Sequence, residues 1–316
     1  MFSFLFAKND VKIPKNKTKK MYKKSECSPM FAGKGVNAET CYTKDILFEI
    51  RDAYNKSKLN TIKITSNDPS EVWKLLRENL VDCSTESCWL KELKNSRMMN
   101  KIKTYVFAPE QPPEWKNNPN EWLSNFDMLE VMDQYEQKYN NFEFIGPSTI
   151  DFDKILPDKR GKCVEDELCN FSLEDLIRRK KDKIGIIFNL DEYTGSGTHW
   201  VSMFVDISNK FIFFFDSAGT RVPKEIKVLA NRIIKQGMEL PTPIKFIFKQ
   251  NYPKEHQYGA SECGMYSLFC IITFLTGEVE SKKFSTSKEI IDYFKEKRIP
   301  DKYIHKYRNV YFNETL

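Results

Sequence analysis

Fifteen consecutive residues, CGMYSLFCIITFLTG from Cys263 to Gly277, carry no charge and are almost wholly apolar. That is short of the roughly 20 residues a membrane-spanning helix requires, so the run reads as a helix buried in protein. Such a helix must be covered by other layers, and the preceding sequence offers them. KIGIIFNL, HWVSMFVDI, KFIFFFDS and IKFIFKQ are short β-branched and aromatic runs bounded by turn residues such as GSGT and SNK, the pattern of strands. The connection from Asp206 to Lys210 is short enough for a hairpin, which makes its two strands antiparallel. Upstream, EWLSNFDMLEVMDQYEQKY reads as an amphipathic helix with Trp122, Phe126, Leu129 and Met132 along one stripe. Downstream lies a polar helical tail around SKEIIDYFKEKRIPDKYIHKYRNVYF. Strands packed between helices predict an α+β domain of about 200 residues.

The rest of the 316-residue chain is organised around this domain. TKDILFEIRDAY places Ile46, Ile50 and Tyr54 at helical spacing, and NDPSEVWKLLRENL starts a second helix with Asp68 as N-cap, Pro69 and Glu71. Residues 31–105 are therefore expected to form a small helical module. The proline- and asparagine-rich APEQPPEWKNNPN reads as a linker over 106–120, with the larger domain spanning 121–316. Residues 1–30 read as a flexible basic arm: VKIPKNKTKKMYKK, residues 11–24, holds seven lysines and no acid. Over the whole chain 50 basic and 44 acidic residues give a net charge of +6, and outside the arm they are well mixed. The arm would attract phosphate non-specifically, so DNA or a virion core is a candidate partner for it. No secretory signal is recognised, because the basic stretch follows the apolar start instead of preceding it. The eight cysteines are then expected as reduced thiols. Neither Cys83 with Cys88 nor Cys163 with Cys169 has the spacing of a zinc site, so no metal or other cofactor is expected.

A cysteine nucleophile needs a base, an acceptor that orients the base, and donors for an oxyanion. Cys263 begins the apolar helix, where free N–H groups and the helix dipole favour a negative sulfur. Among the three histidines, His199 lies where the glycine-rich turn TGSGT meets a strand, and Asp216 ends the next strand. With the hairpin turn near Ser208 and Asn209, His199 and Asp216 are expected almost opposite each other. Gln257, six residues before Cys263, offers an amide N–H for an oxyanion hole. His256 is a rival base better suited to a loop role, and His305, in a charged helix, is expected to be solvated. Singly, Cys263 and Asp216 read more simply as a core residue and a turn cap, and His199 no less simply as a strand-end residue; the combination points to catalysis.

The order THW, then FFDS, then QYGASECG resembles the ubiquitin-like-protein-specific (SUMO protease) and adenain-like clan of cysteine proteases, most nearly the polyprotein-processing versions of large DNA viruses such as poxviruses and African swine fever virus. The likeness covers about residues 120–275, and EWLSNFDML resembles the tryptophan-leucine start of that catalytic domain. The resemblance implies a papain-related fold, a His199, Asp216 and Cys263 triad, and Gln257 in the oxyanion hole. It also implies that Trp122 and Trp200 enclose an extended Gly-Gly or Ala-Gly segment, with Asn189 a further candidate for holding substrate backbone, though it could equally cap a turn. Glu262 stands where cellular SUMO proteases have aspartate, and WLSN replaces WLND, which weakens the case for a SUMO-like substrate.

The function expected is an endopeptidase cutting after Gly in Gly-x sites of a viral structural polyprotein, in the virion core and the host cytoplasm. The alternatives are a deconjugase of ubiquitin-like proteins, an acetyltransferase using the same nucleophile, and a non-enzymatic basic virion protein.

Overall fold

The computed structural model describes residues 21–314 apart from 58–59, 61, 94 and 157–160. The basic arm lies outside the described residues as far as residue 20. Its continuation is packed, contrary to the flexible arm expected through residue 30: the Tyr22 ring meets Trp73 edge-on at 6.0 Å, Arg77 covers it at 4.1 Å, and Ser25 is buried. An aromatic ring with an apolar partner and a cation above it is enough to anchor a lysine-rich stretch.

The chain divides into two compact units. One consists of Lys34–Lys103 with the stretch up to Ser25, the other of Glu26–Gly33 with Thr104–Leu316. The first is helical, as its sequence predicts. Helix α1, Lys44–Lys56, buries Leu47, Ile50 and Tyr54, so Leu47 takes the core position expected of Ile46. Helix α2, Pro69–Asn79, starts where the Asp68 carboxylate accepts the Glu71 N–H at 2.8 Å. Glu86, fully buried, accepts from Trp73 Nε1 at 2.6 Å and from the Cys41 N–H at 3.1 Å. Helix α3 is Ser96–Val106.

The expected 106–120 linker is instead an integral part of the second unit. Trp115 is buried, donates from Nε1 to the Glu121 carbonyl at 3.0 Å and meets Phe312 edge-on. The prolines end regular structure there, and the indole anchors what remains. Helix α4, Asn125–Lys138, begins at a capping box between Ser124 and Asp127. Trp122 therefore precedes the helix and lies off the stripe assigned to it from sequence.

A five-stranded sheet follows in the order β1 (Phe142–Thr149), β2 (Lys183–Asn189), β3 (Trp200–Asp206), β4 (Phe211–Phe215), β5 (Ile247–Gln250). The outer pairs are parallel, and the two pairs between them antiparallel. Along β3 and β4 every residue is buried, because both faces are covered, and this is why these strands read as unbroken apolar runs. Trp200, Phe204, Phe211, Phe213 and Phe215 join α4 and α8 (Cys263–Thr276) in one core. Val201, Met203, Val205, Ile212 and Phe214 join the opposite core, which is covered by α5 (Asp166–Cys169), α6 (Leu173–Arg178) and α7 (Lys224–Glu239). Each fully buried phenylalanine contributes roughly 1.5–3 kcal/mol. After α8 come a two-stranded ribbon, β6 (Glu278–Val279) with β7 (Lys282–Lys283), and the helices α9 (Ser287–Glu296), α10 (Asp301–His305) and α11 (Arg308–Tyr311). No helix among the described residues is long and apolar enough to cross a membrane.

The cysteines depart from the reduced state expected of them. Cys83 is joined to Cys88 and Cys163 to Cys169, with Cα atoms 5.4 and 6.2 Å apart, a span a disulfide closes. Cys27 and Cys41 are disulfide-bonded too, and Cys263 and Cys270 are the free thiols. A spacing of five or six residues, read from sequence as too long for a zinc knuckle, lets one turn bring the two sulfurs together.

Candidate active site

Cys263 is the first residue of α8, 1 % exposed, with Glu262 at the cap position. The residues behind it are buried through Leu275, and Gly277, at φ 71°, ends the helix in the left-handed conformation that glycine accepts most readily. The greasy run thus fixes the thiol at the helix end where unpaired N–H groups gather.

His199 is held by the turn before it. The Asn189 Oδ1 accepts the N–H groups of Asp191 and Thr198, Asp191 accepts the Gly197 N–H, and the His199 carbonyl accepts the Leu190 N–H. From that position His199 Nε2 lies 2.7 Å from Asp216 Oδ1. The pair is diagonal rather than directly opposite: Ser202 faces Phe215, so continuing the ladder sets Asp216 against Val201, two residues from His199. The turn is centred between Ser208 and Asn209, as expected, but direct opposition of His199 and Asp216 would need a centre one residue earlier; both residues still lie on one face and within reach. Nε2 being engaged, Nδ1 is the nitrogen left for Cys263, which is near enough to act on the imidazole's titration. Burial pulls the imidazole pKa down, but the bond to Asp216 and the influence of Cys263 outweigh it and lift it to about 9.

Asp216 is buried and saturated with donors. It accepts from His199, the Ala218 and Thr220 N–H groups and the Thr220 hydroxyl. Burial alone would raise its pKa; these partners hold it below the ordinary carboxylate value. Asn251, which the sequence reading did not single out, grips its main chain from β5's end: its Oδ1 accepts the Asp216 N–H at 2.9 Å and its Nδ2 donates to the Asp216 carbonyl at 2.6 Å. The one signal for it was a buried-type polar residue directly after a strand.

Gln257 is buried beside this pair. Its Oε1 accepts the Ser217 hydroxyl and its N–H binds the Ser217 carbonyl, while Nε2 gives one hydrogen to the Gly259 carbonyl at 2.7 Å and keeps a second. Asp301 holds the loop onward to Cys263, accepting the N–H groups of Tyr258 and Gly259 and the hydroxyl of Tyr266 in α8. His256 is fully buried, with Nε2 on the Phe294 carbonyl at 2.8 Å and Nδ1 accepting the Ile299 N–H at 3.1 Å. Burial holds its pKa down at about 4. Both nitrogens are used, so it is a strut and not a rival base.

The two tryptophans differ. Trp200 is buried and donates from Nε1 to the Leu123 carbonyl at 3.2 Å, whereas Trp122 stands 37 % exposed on the segment before α4. That segment touches the nucleophile's helix: a methyl group on Gly264 would lie 3.2 Å from Leu123 Cβ and 3.5 Å from the Trp200 ring. Asn189, by contrast, spends its Oδ1 on the turn that presents His199, the capping use that was its simpler expectation. His305 is not merely solvated: its Nδ1 lies 3.1 Å from Glu262 Oε1, where Arg308 is also bound. No group of three or more His, Cys, Asp or Glu residues among the described residues is placed to hold a metal ion.

Residues 165–308 match the Ulp1 protease family, C-terminal catalytic domain. A protein of Acanthamoeba polyphaga mimivirus assigned as a thiol protease is 32 % identical over 90 % of this chain and 92 % of its own. The SUMO-1 cysteine protease of African swine fever virus is 26 % identical over 75 % of this chain and 86 % of that protein. The crystal structure of the African swine fever virus protease superposes with a TM-score of 0.63 at 20 % identity, covering 92 % of this chain and 96 % of that one, and so shares the fold.

Proposed function

Because the chain belongs to the Ulp1 family of cysteine proteases, we propose that Cys263 is its nucleophile, His199 its general base and acid, Asp216 the residue that orients His199, and Gln257 an oxyanion donor, in an endopeptidase that cuts after glycine. The observation that carries this is His199, bound through Nε2 to Asp216 at 2.7 Å, with its charged form favoured by Asp216 and by Cys263 at the start of α8. An imidazole with a pKa near 9 is protonated at neutral pH, and an imidazolium beside the sulfur stabilises the thiolate. The thiolate attacks the carbonyl carbon of a Gly-x bond. The negative oxygen that forms is met by the Cys263 N–H and the remaining Gln257 amide hydrogen. Nδ1 of His199 then delivers its proton to the departing amine, and the C–N bond breaks to leave a thioester. Water attacks the thioester and gives one proton back to His199, the C–S bond breaks to restore the Cys263 thiolate, and the released glycine acid loses its remaining proton to solvent.

Trp122 and Trp200 favour glycine, because a substrate passing between an exposed indole and a buried one has little room for side chains. A polyprotein of viral structure is the substrate we infer, with the arm over 11–24 contacting DNA or core, in the host cytoplasm and virion. A second reading, removal of a ubiquitin-like protein, is favoured by the name of the African swine fever virus relative. Steady-state cleavage of an extended Gly-Gly-x peptide and of a folded ubiquitin-like fusion with the same tail separates the two. The endopeptidase predicts comparable kcat/KM on both, and a preference for the fusion by orders of magnitude would establish deconjugation instead. Retention of peptide cleavage by Cys263→Ala would contradict the mechanism for either substrate.

A further inference from the structure

Arg308 is 3 % exposed, and every part of its guanidinium is used. Nε donates to Glu262 Oε2 at 3.1 Å, and Nη2 lies 3.0 Å from Oε1 as a charge contact off the hydrogen-bonding axis. Nη1 donates to the carbonyls of Pro119 at 2.9 Å and Glu121 at 3.0 Å, and the plane covers the Trp115 ring at 4.1 Å. One end of this clamp is thus peptide-bonded to Cys263, and the other leads directly into Trp122. On the far side the same two segments meet again, where Gly264 packs on Leu123 and Leu123 binds the Trp200 indole. A buried ion pair is seldom retained for net stability, since desolvating both charges offsets their attraction. What this one supplies is a fixed separation between the nucleophile's helix and the Trp122 segment.

We propose that the Glu262–Arg308 pair is a positioning device that sets the Trp122–Leu123 segment over the thiol, acting on substrate binding and not on the nucleophile itself. This rests on the protease mechanism above. The His199–Asp216 pair has its own supports in Thr220, Ala218 and Asn251, so the two functions are separable. Lysine cannot substitute, because a point charge cannot reach the Glu262 carboxylate and two carbonyls while lying flat on an indole.

The test is a double-mutant cycle on the full chain with Arg308→Lys, Trp122→Ala and their combination, following KM and kcat on an extended Gly-Gly-x peptide and the rate of Cys263 alkylation by iodoacetamide. Arg308→Lys is expected to raise KM on the order of tenfold, to leave alkylation within about twofold, and to have no effect on KM once Trp122 is alanine. An unchanged KM, an equal KM effect in both backgrounds, or a fall in alkylation matching the fall in kcat/KM would overturn the proposal. Should Arg308→Lys fail to fold, Glu262→Gln, which keeps the shape and an acceptor oxygen, carries the same test. The control Cys263→Ala keeps the two levels apart: if it still cleaves, the protease mechanism is wrong, whereas an inactive control with an additive cycle removes the positioning role alone.

Discussion

His199 and His256 lie on the same unit with opposite environments, and their titrations should oppose each other. His199 gains charged-form partners, its pKa rising from 6.5 to about 9. The folded state then holds the extra proton between those values, so its stabilisation is complete below pH 6.5 and is lost as pH rises through 9. His256 is buried neutral at about 4, so the unfolded state holds the extra proton and stability falls as pH drops from 6.5 through 4. Melting temperatures of His199→Ala and His256→Gln against pH check both signs: the first should flatten the alkaline side of the curve, the second the acid side. The oxyanion and orienting residues act on rate. Asp216→Asn keeps the shape but removes the charge that holds the imidazole protonated, and kcat should fall on the order of 10²–10⁴-fold with the fold intact. A fall smaller than tenfold would remove Asp216 from catalysis.

At the scale of elements, the hairpin and the nucleophile's helix were legible because each is local. The β3–β4 turn spans a few residues, and the apolar run from Cys263 announces its own burial. The turn's place at Ser208 and Asn209 was legible, but that centre pairs Asp216 with Val201, so His199 and Asp216 are diagonal and not opposed. Trp122 was assigned to a helix because its spacing matched Phe126 and Leu129, yet the Ser124–Asp127 capping box starts α4 after it. Asn251, Asp301 and Arg308 went unrecognised for a different reason: each acts on a partner 35 to 46 residues away, and no periodicity reports such pairings. Gly264→Ala tests the contact between elements. Its methyl would press on Leu123 at 3.2 Å, so peptide cleavage should fall by more than the loss of stability, about 1 kcal/mol, accounts for. Parallel loss of both would mean ordinary core packing.

At the scale of the whole molecule, the fold class was legible and the thiol chemistry was not. Cysteine spacing in sequence says what a zinc site would require, but a bridge depends on where two Cα atoms end up. Six of the cysteines are paired and Cys263 and Cys270 are free. Alkylation of protein unfolded without reductant should therefore label two thiols. After reduction it should label all eight; eight without reductant would mean that the bridges are absent in solution. In the folded protein Cys270, fully buried with its thiol pKa raised by burial, should stay inert, and any reactivity belongs to Cys263.

That difference allows the nucleophile to be identified directly. A peptide vinyl sulfone ending in Gly-Gly, incubated with folded protein at neutral pH and located by tryptic mass spectrometry, should add once, at Cys263, and the reaction should slow by orders of magnitude in His199→Ala. Addition at Cys270 or at a lysine, or an undiminished rate in His199→Ala, would contradict the thiolate mechanism.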